Sequence, residues 1–223
     1  MANAIDKVNG IAIASIEAIN GITDANLQAL NGLEFTGVLP ESHTLIATAT
    51  ASSSATLEFT SGIDSTYDAY EFRFTNMHPA SDGVRIAFQV NASDDTGGGF
   101  DTSLFTSTAI SAYHSEADGT PALNYAGAQD QAQGAGYQLL STECGFDNDQ
   151  AVSGVLTLYD PSSTTFVKHF TSTVQGIEAS DLSQVYYMAG YINQTLAIPE
   201  ISFKFSSGNI DAGVIKMYGI AKS

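Results

Sequence analysis

The hydrophobic and polar positions along the chain alternate most clearly within residues 67–91, where two such runs are joined by a turn. In the first run Tyr70, Phe72 and Phe74 share one side and Glu71, Arg73 and Thr75 the other. In the second, Val84, Ile86, Phe88 and Val90 oppose Arg85, Ala87, Gln89 and Asn91. Successive side chains point to opposite faces of a strand, so each run reads as a half-buried strand with an apolar inner face. Pro79 and the Asp82-Gly83 pair supply turn chemistry between them. On the polar side Glu71 is placed to pair with Arg73 and Arg85 across the two strands.

The rest of the chain continues this pattern. Residues 40–43 read as a linker, and strands are expected over 45–51, 56–60, 105–113, 137–141, 152–159, 166–173 and 185–192. Phe166, Lys168 and Phe170 fall on one face of the 166–173 strand, and 185–192 is aromatic and central. Ile201, Phe203 and Phe205 alternate, as do Val214, Lys216, Tyr218 and Ile220 against Ile215 and Met217. Turn signals recur at Ser52-Ser53-Ser54 and Asp160-Pro161-Ser162-Ser163, and loops are expected over 91–101 and 114–136. The second loop is polar and without period, a surface segment suited to a lateral contact. About ten short strands with regular turns predict an all-β fold, a jelly-roll-like antiparallel β-sandwich.

The N-terminal region follows a different rule. VNGIAIASIEA, INGITDANLQA and LNGLEFTGVLP align at an 11-residue period, with Asn9-Gly10, Asn20-Gly21 and Asn31-Gly32 in register. Val8, Ile19 and Leu30 precede the pairs, Ile11, Ile22 and Leu33 follow them, and Ile16 matches Leu27. Asn-Gly takes positive φ readily, so each pair reads as a tight turn. An 11-residue period also fits a right-handed coiled coil, which the glycines oppose. Turns alternating with short helical or extended pieces are the preferred reading. Thr23 or Asp24 is placed to cap a short helix over 25–30. Units this small cannot bury their own apolar residues and need neighbours. Residues 1–40 are therefore expected to be an arm for oligomerisation or attachment, through Val8, Ile11, Ile16, Ile19, Ile22, Leu27, Leu30 and Leu33, with the sandwich over 41–223.

Charge narrows the function. The chain carries 24 acidic and 7 basic residues, a net charge of −17. Phosphate contacts need clustered Lys and Arg, so nucleic acid is not an expected partner, nor is an anionic membrane surface. No stretch approaches the roughly 20 apolar residues of a membrane-spanning helix. The first residues lack the charged and apolar segments of a signal peptide. Cys144 is the one cysteine, which excludes an intramolecular disulfide and fits a reducing compartment. Without secretion, the glycosylation patterns at Asn91 and Asn193 read as chance.

Candidate chemistry is sparse. Asp94, Asp95 and Asp101 bracket a glycine-rich loop where oxygen ligands would suit Ca²⁺, although the spacing is not that of an EF-hand and a solvated loop is the simpler reading. Asp147 and Asp149 offer the same at lower weight. His43, His78, His114 and His169 show no metal-ligand spacing, and His114 near Glu116 lacks a recognisable nucleophile. No catalytic residue and no cofactor are expected. Cys144 reads as a small core residue. Gly134-Ala135-Gly136 neither follows a strand nor opens a helix, so it is a poor phosphate cradle. Among the ten tyrosines, Tyr186, Tyr187 and Tyr191 cluster; alternation puts Tyr187 and Tyr191 on one face, read as core rather than as a sugar platform.

Several segments together, the Asn-Gly repeats, IDSTYDAYEFRFTNMHPASDG, AYHSEADGTPALNY, LYDPSSTTFVKHF and SSGNIDAGVIKMYGI, resemble virion structural proteins of marine tailed phages, especially phages of cyanobacteria. The resemblance runs over nearly the whole chain. It implies a non-enzymatic virion component, assembled in the host cytoplasm, with other tail or capsid proteins as partners. A trimeric tail fibre or appendage anchored through the arm is the expected form. A capsid decoration protein and a host-recognition module for surface glycans are the alternatives.

Overall fold

The computed structural model describes residues 43–93, 100, 103–119 and 121–221. In the N-terminal region it describes 7–8, 11–12, 18–19, 22–23, 29–30 and 33–34. The chain forms two compact units, Met1–Thr44 and Leu45–Ser223.

In the first unit six two-residue strands pair in sequence. β1 (Lys7–Val8) pairs with β2 (Ile11–Ala12), β3 (Ala18–Ile19) with β4 (Ile22–Thr23), and β5 (Ala29–Leu30) with β6 (Leu33–Glu34), all antiparallel. Each pairing brackets one Asn-Gly dipeptide with two residues between the strands, the spacing of the tightest β-hairpin. The extended alternative is therefore the one adopted here, not the coiled coil. The helix expected over 25–30 is corrected at its end: Ala29 and Leu30 are strand, and Thr23 belongs to β4 rather than to a cap. Asn-Gly disfavours a helical turn and favours tight reversal, in keeping with the cross-strand pairing of the flanking residues. Ile16, Leu27 and Asp24 lie outside the described residues.

The second unit is an antiparallel β-sandwich, and no described residue is helical. It has more strands than expected. They are β7 (His43–Thr50), β8 (Leu57–Phe59), β9 (Ala69–Pro79), β10 (Ile86–Asn91), β11 (Phe105–Ser115), β12 (Ala122–Tyr125), β13 (Ala132–Gly134), β14 (Gln138–Leu139), β15 (Val152–Tyr159), β16 (Lys168–Glu178), β17 (Leu182–Ile192), β18 (Glu200–Phe205) and β19 (Ile210–Ile220). A nine-stranded sheet runs β12-β11-β17-β16-β15-β9-β19-β7, with β13 also on β11, and a four-stranded sheet runs β14-β10-β18-β8.

Phenylalanine rings hold the two sheets together. From the small sheet, Phe59, Phe88 and Phe203 project between the layers; from the large one come Phe72, Phe74, Phe105 and Phe170. Phe203 lies 5.4 Å from both Phe72 and Phe74, and Phe88 lies 5.3 Å from Phe105 and 5.2 Å from Phe170. Most of these pairs are edge-to-face, the geometry that the ring quadrupole favours. Tyr70 is buried beside them. Burial, with the Asp64 charge nearby, pushes its hydroxyl up to about 12, and that hydroxyl donates to the Asp64 carbonyl at 2.9 Å.

The stretch 67–91 keeps its strands but not their expected relation. β9 belongs to the large sheet and β10 to the small one, so they cross between layers instead of forming a hairpin. Glu71 consequently meets Arg73 on its own strand, at 2.8 Å, while Arg85 reaches Glu143 at 2.6 Å. The Gly83 turn holds, with φ 65°. Nor is β10 half-buried: Ala87, Gln89 and Asn91 are covered along with Ile86, Phe88 and Val90.

Four further readings are corrected. The segment 114–136 is not without strands, because β12 and β13 line the edge of β11. Phe166 does not share the inner face with Lys168 and Phe170; it precedes β16 and is exposed, whereas both others are buried. The inward tyrosine of β17 is Tyr186, not Tyr187. His43, read as linker, already belongs to β7.

β9 also contains a bulge. Thr75 pairs with Val214 but His78 with Ala212, so the register shifts between them. Asn76 there has φ 49° and Gly213 φ 120°. A Cβ on residue 213 would lie 2.7 Å from the Asn76 carbonyl oxygen, so both the dihedral angle and the space demand glycine.

Candidate interaction surfaces

The outer face of the large sheet is built by the alternation that fills its inner face. On β17, Tyr186 and Met188 point inward, so Val185 and Tyr187 point outward. Register then aligns outward residues across the sheet. One row reads Tyr125–Ile110–Tyr187–Thr173–Val155–Arg73–Lys216. The next reads Leu123–Ala112–Val185–Gln175–Ser153. At the β9–β19 side this face is charged, with the Arg73 guanidinium 4.8 Å from the centre of the Tyr218 ring. At the β11–β12 side it is apolar: Leu123 is 72% exposed, Tyr125 60%, Tyr187 51% and Ile110 45%. Scattered apolar residues on a surface are ordinary, but a contiguous group at a sheet edge marks an interaction site.

The edge strand β12 carries two of those residues. Leu123 and Tyr125 alternate with Ala122 and Asn124, and among the described residues only β11 pairs with the strand. The Tyr125 hydroxyl donates to the Asp130 carboxylate, which raises its pKa. A shallow depression of about 280 Å³ adjoins the apolar rows through Ala112 and Val185, with Tyr113, His114, Gln175 and Gln184 around it.

Arg85, Glu143, Glu178 and Tyr186 form a polar cluster. Arg85 bonds Glu143, and both act electrostatically on Glu178 and Tyr186. Burial, reinforced by the Glu143 charge, raises the Glu178 carboxyl above its ordinary value, with Arg85 opposing. Elsewhere Lys168 is fully buried; its ammonium donates to the Phe166 and Gln194 carbonyls at 2.9 and 3.2 Å, and burial lowers its pKa.

The other candidates fall as follows. Cys144 is buried, and burial together with Asp82 pushes its thiol up to about 12, so it behaves as the small core residue expected. His78 bonds the Gln150 carbonyl through Nδ1 at 2.8 Å, and His114 stands 3.7 Å from Asp118. Asp147 and Asp149 are exposed. Asp94, Asp95 and Asp101 lie outside the described residues, and among the described residues no group of three or more His, Cys, Asp or Glu is placed to hold a metal ion. Of the expected arm residues, Val8 pairs with Ile11, Ile19 with Ile22 and Leu30 with Leu33. No described helix is long and apolar enough to cross a membrane.

Sequence reasoning missed the apolar edge. Its signal was the short alternation Ala122-Leu123-Asn124-Tyr125 after Pro121, lost in a segment otherwise rich in Gly, Ala and Gln. No protein-family model, curated protein or solved structure matches this chain.

Proposed function

We propose that the protein is a non-enzymatic structural component of a phage particle, anchored through residues 1–40 and displaying the β-sandwich. The observation that carries this reading is the triple hairpin: Val8–Ile11, Ile19–Ile22 and Leu30–Leu33 pair at an 11-residue period. An isolated two-stranded hairpin is marginal in water even with longer strands. Hairpins of two-residue strands with apolar residues beside each turn therefore need a surface to pack on. Sister chains around a threefold axis supply one, and we take the homotrimer as the preferred state. The resemblance to phage virion proteins supports a tail fibre or appendage. A capsid decoration protein would use the same anchor. Exposed Tyr187, beside Thr173 on the outer face, favours host-surface glycan as a further partner.

The test replaces Ile11, Ile22 and Leu33 with Asp in the full chain and measures molar mass by light scattering. The expected result is a trimer that falls apart while the sandwich keeps its thermal unfolding transition. An unchanged mass would overturn the anchoring role.

A further inference from the structure

From the edge of the large sheet we infer a second interface: β12 pairs antiparallel with β12 of a second copy, making one continuous sheet across two chains. This goes beyond the arm and does not depend on it. Three observations carry it. β12 is the last strand of its sheet among the described residues, so one side of its backbone faces outward. Open edges of this kind are templates for another strand, and proteins usually blunt them with charge or proline. Residues 122–129, ALNYAGAQ, contain neither, Pro121 and Asp130 standing at the two ends of that stretch.

The second observation is charge. A chain of net charge −17 repels its own copies, so any self-association must use a neutral surface. The outward residues of the rows through β12, β11 and β17 are themselves uncharged: Tyr125, Ile110 and Tyr187 in one, Leu123, Ala112 and Val185 in the other, with the Asp130 carboxylate at their margin held by the Tyr125 hydroxyl.

The third is self-complementarity. A twofold axis perpendicular to the sheet keeps both outer faces on the same side and pairs residues of equal parity. Centred on Asn124, it sets Leu123 of each copy against Tyr125 of the other and Asn124 against Asn124. The two most exposed apolar side chains of the edge cover one another, and the apolar rows of the copies join. The edge is also finite. β13 resumes on β11 only at Ala132, and the register is irregular there, so the pairing is confined to a few residues and closes as a dimer contact rather than growing as a ribbon. In a trimer held by the arm, the same contact would link neighbouring trimers laterally.

Register gives a sharp test in the full chain. With Asn124→Cys, the facing Cα atoms fall within disulfide range, so oxidised glutathione should yield a covalent dimer. Leu123→Cys, which faces Tyr125, should not. The native Cys144 is buried and serves as the unreactive background. In light scattering against concentration, the parent should associate beyond the state set by the arm, more tightly as salt screens the acidic surfaces. Leu123→Lys should weaken that step by about tenfold or more. The side chain at 123 is exposed, so the variant keeps its fold, checked by unfolding temperature. Association unchanged by Leu123→Lys, or equal crosslinking at 123 and 124, would overturn the inference. The Ile11, Ile22 and Leu33 replacements separate the two interfaces: they abolish the arm's association and leave the Asn124→Cys crosslink intact.

Discussion

β9 and β10 look alike as sequence and behave differently as structure. Each alternates apolar with polar residues, and each contributes phenylalanine to the core. On β9 the polar set faces outward: Arg73 is exposed, and its contacts are Glu71 and the Tyr218 ring. On β10 the polar set is buried. The Gln89 amide donates to the Ala135 carbonyl at 3.2 Å, its oxygen accepts from the Val90 amide at 2.8 Å, and Asn91 donates to Glu200 at 2.9 Å. On the same sheet, Tyr137 lies against Lys204 and bonds Ser202. Alternation thus reports that one face is apolar; it does not report that the other face is wet. Polar residues tolerate burial when their hydrogen bonds are met inside, as Gln89 illustrates.

That contrast breaks most visibly at the shared inner face. Phe88→Ala removes the ring that meets Phe105, Phe170 and Phe203, and should cost about 3–5 kcal/mol in urea unfolding. A loss under about 1 kcal/mol would mean that the two sheets do not depend on this contact. The outward residues separate the strands next. Gln89→Ala leaves the buried Val90 amide and the Ala135 carbonyl without this partner and should cost about 1–3 kcal/mol, whereas Arg73→Ala, its counterpart on β9, should cost no more than about 1 kcal/mol. Equal effects would erase the distinction between the two outer faces.

The smallest effect concerns pH. Burial raises Glu178 above its ordinary 4.5, so the folded chain holds that proton more tightly than the unfolded chain. Its contribution to stability is full below 4.5 and is lost as pH rises through the elevated folded value. Glu178→Gln should flatten stability against pH in that window and leave the variant slightly more stable than the parent at neutral pH. A wild-type slope retained in the variant would assign the titration to another group.

Much of the architecture was legible in local pattern. The inner face of β9, the alternation along β18 and β19, the bounds of β15 and the turn at Gly83 follow from patterns and turn chemistry read over a few neighbouring residues. The arm was legible as a period, because Asn-Gly specifies where the chain reverses whatever surrounds it. The apolar edge was not, since a four-residue alternation in β12 is too short to stand out until β11 lies beside it. Tyr186 and Tyr187 show the same limit. Adjacent tyrosines must point to opposite faces, but nothing in their own identity says which face is the core.

What the sequence determined by itself was the class of the fold, the 11-residue repeat with its Asn-Gly turn signals and the acidic character of the chain. These depend on properties of a residue and its near neighbours: a period of two, a dipeptide that favours positive φ, a sum of charges. Only the tertiary structure decided that β9 and β10 part into different layers, that Arg85 meets Glu143 instead of Glu71, and that Leu123 and Tyr125 stand at an open edge. Those outcomes rest on which strand lies beside which, and β10 takes its neighbours from Leu139 and Lys204, far along the chain. Partner choice minimises exposed apolar area over all strands at once, a global condition that no single window of residues contains.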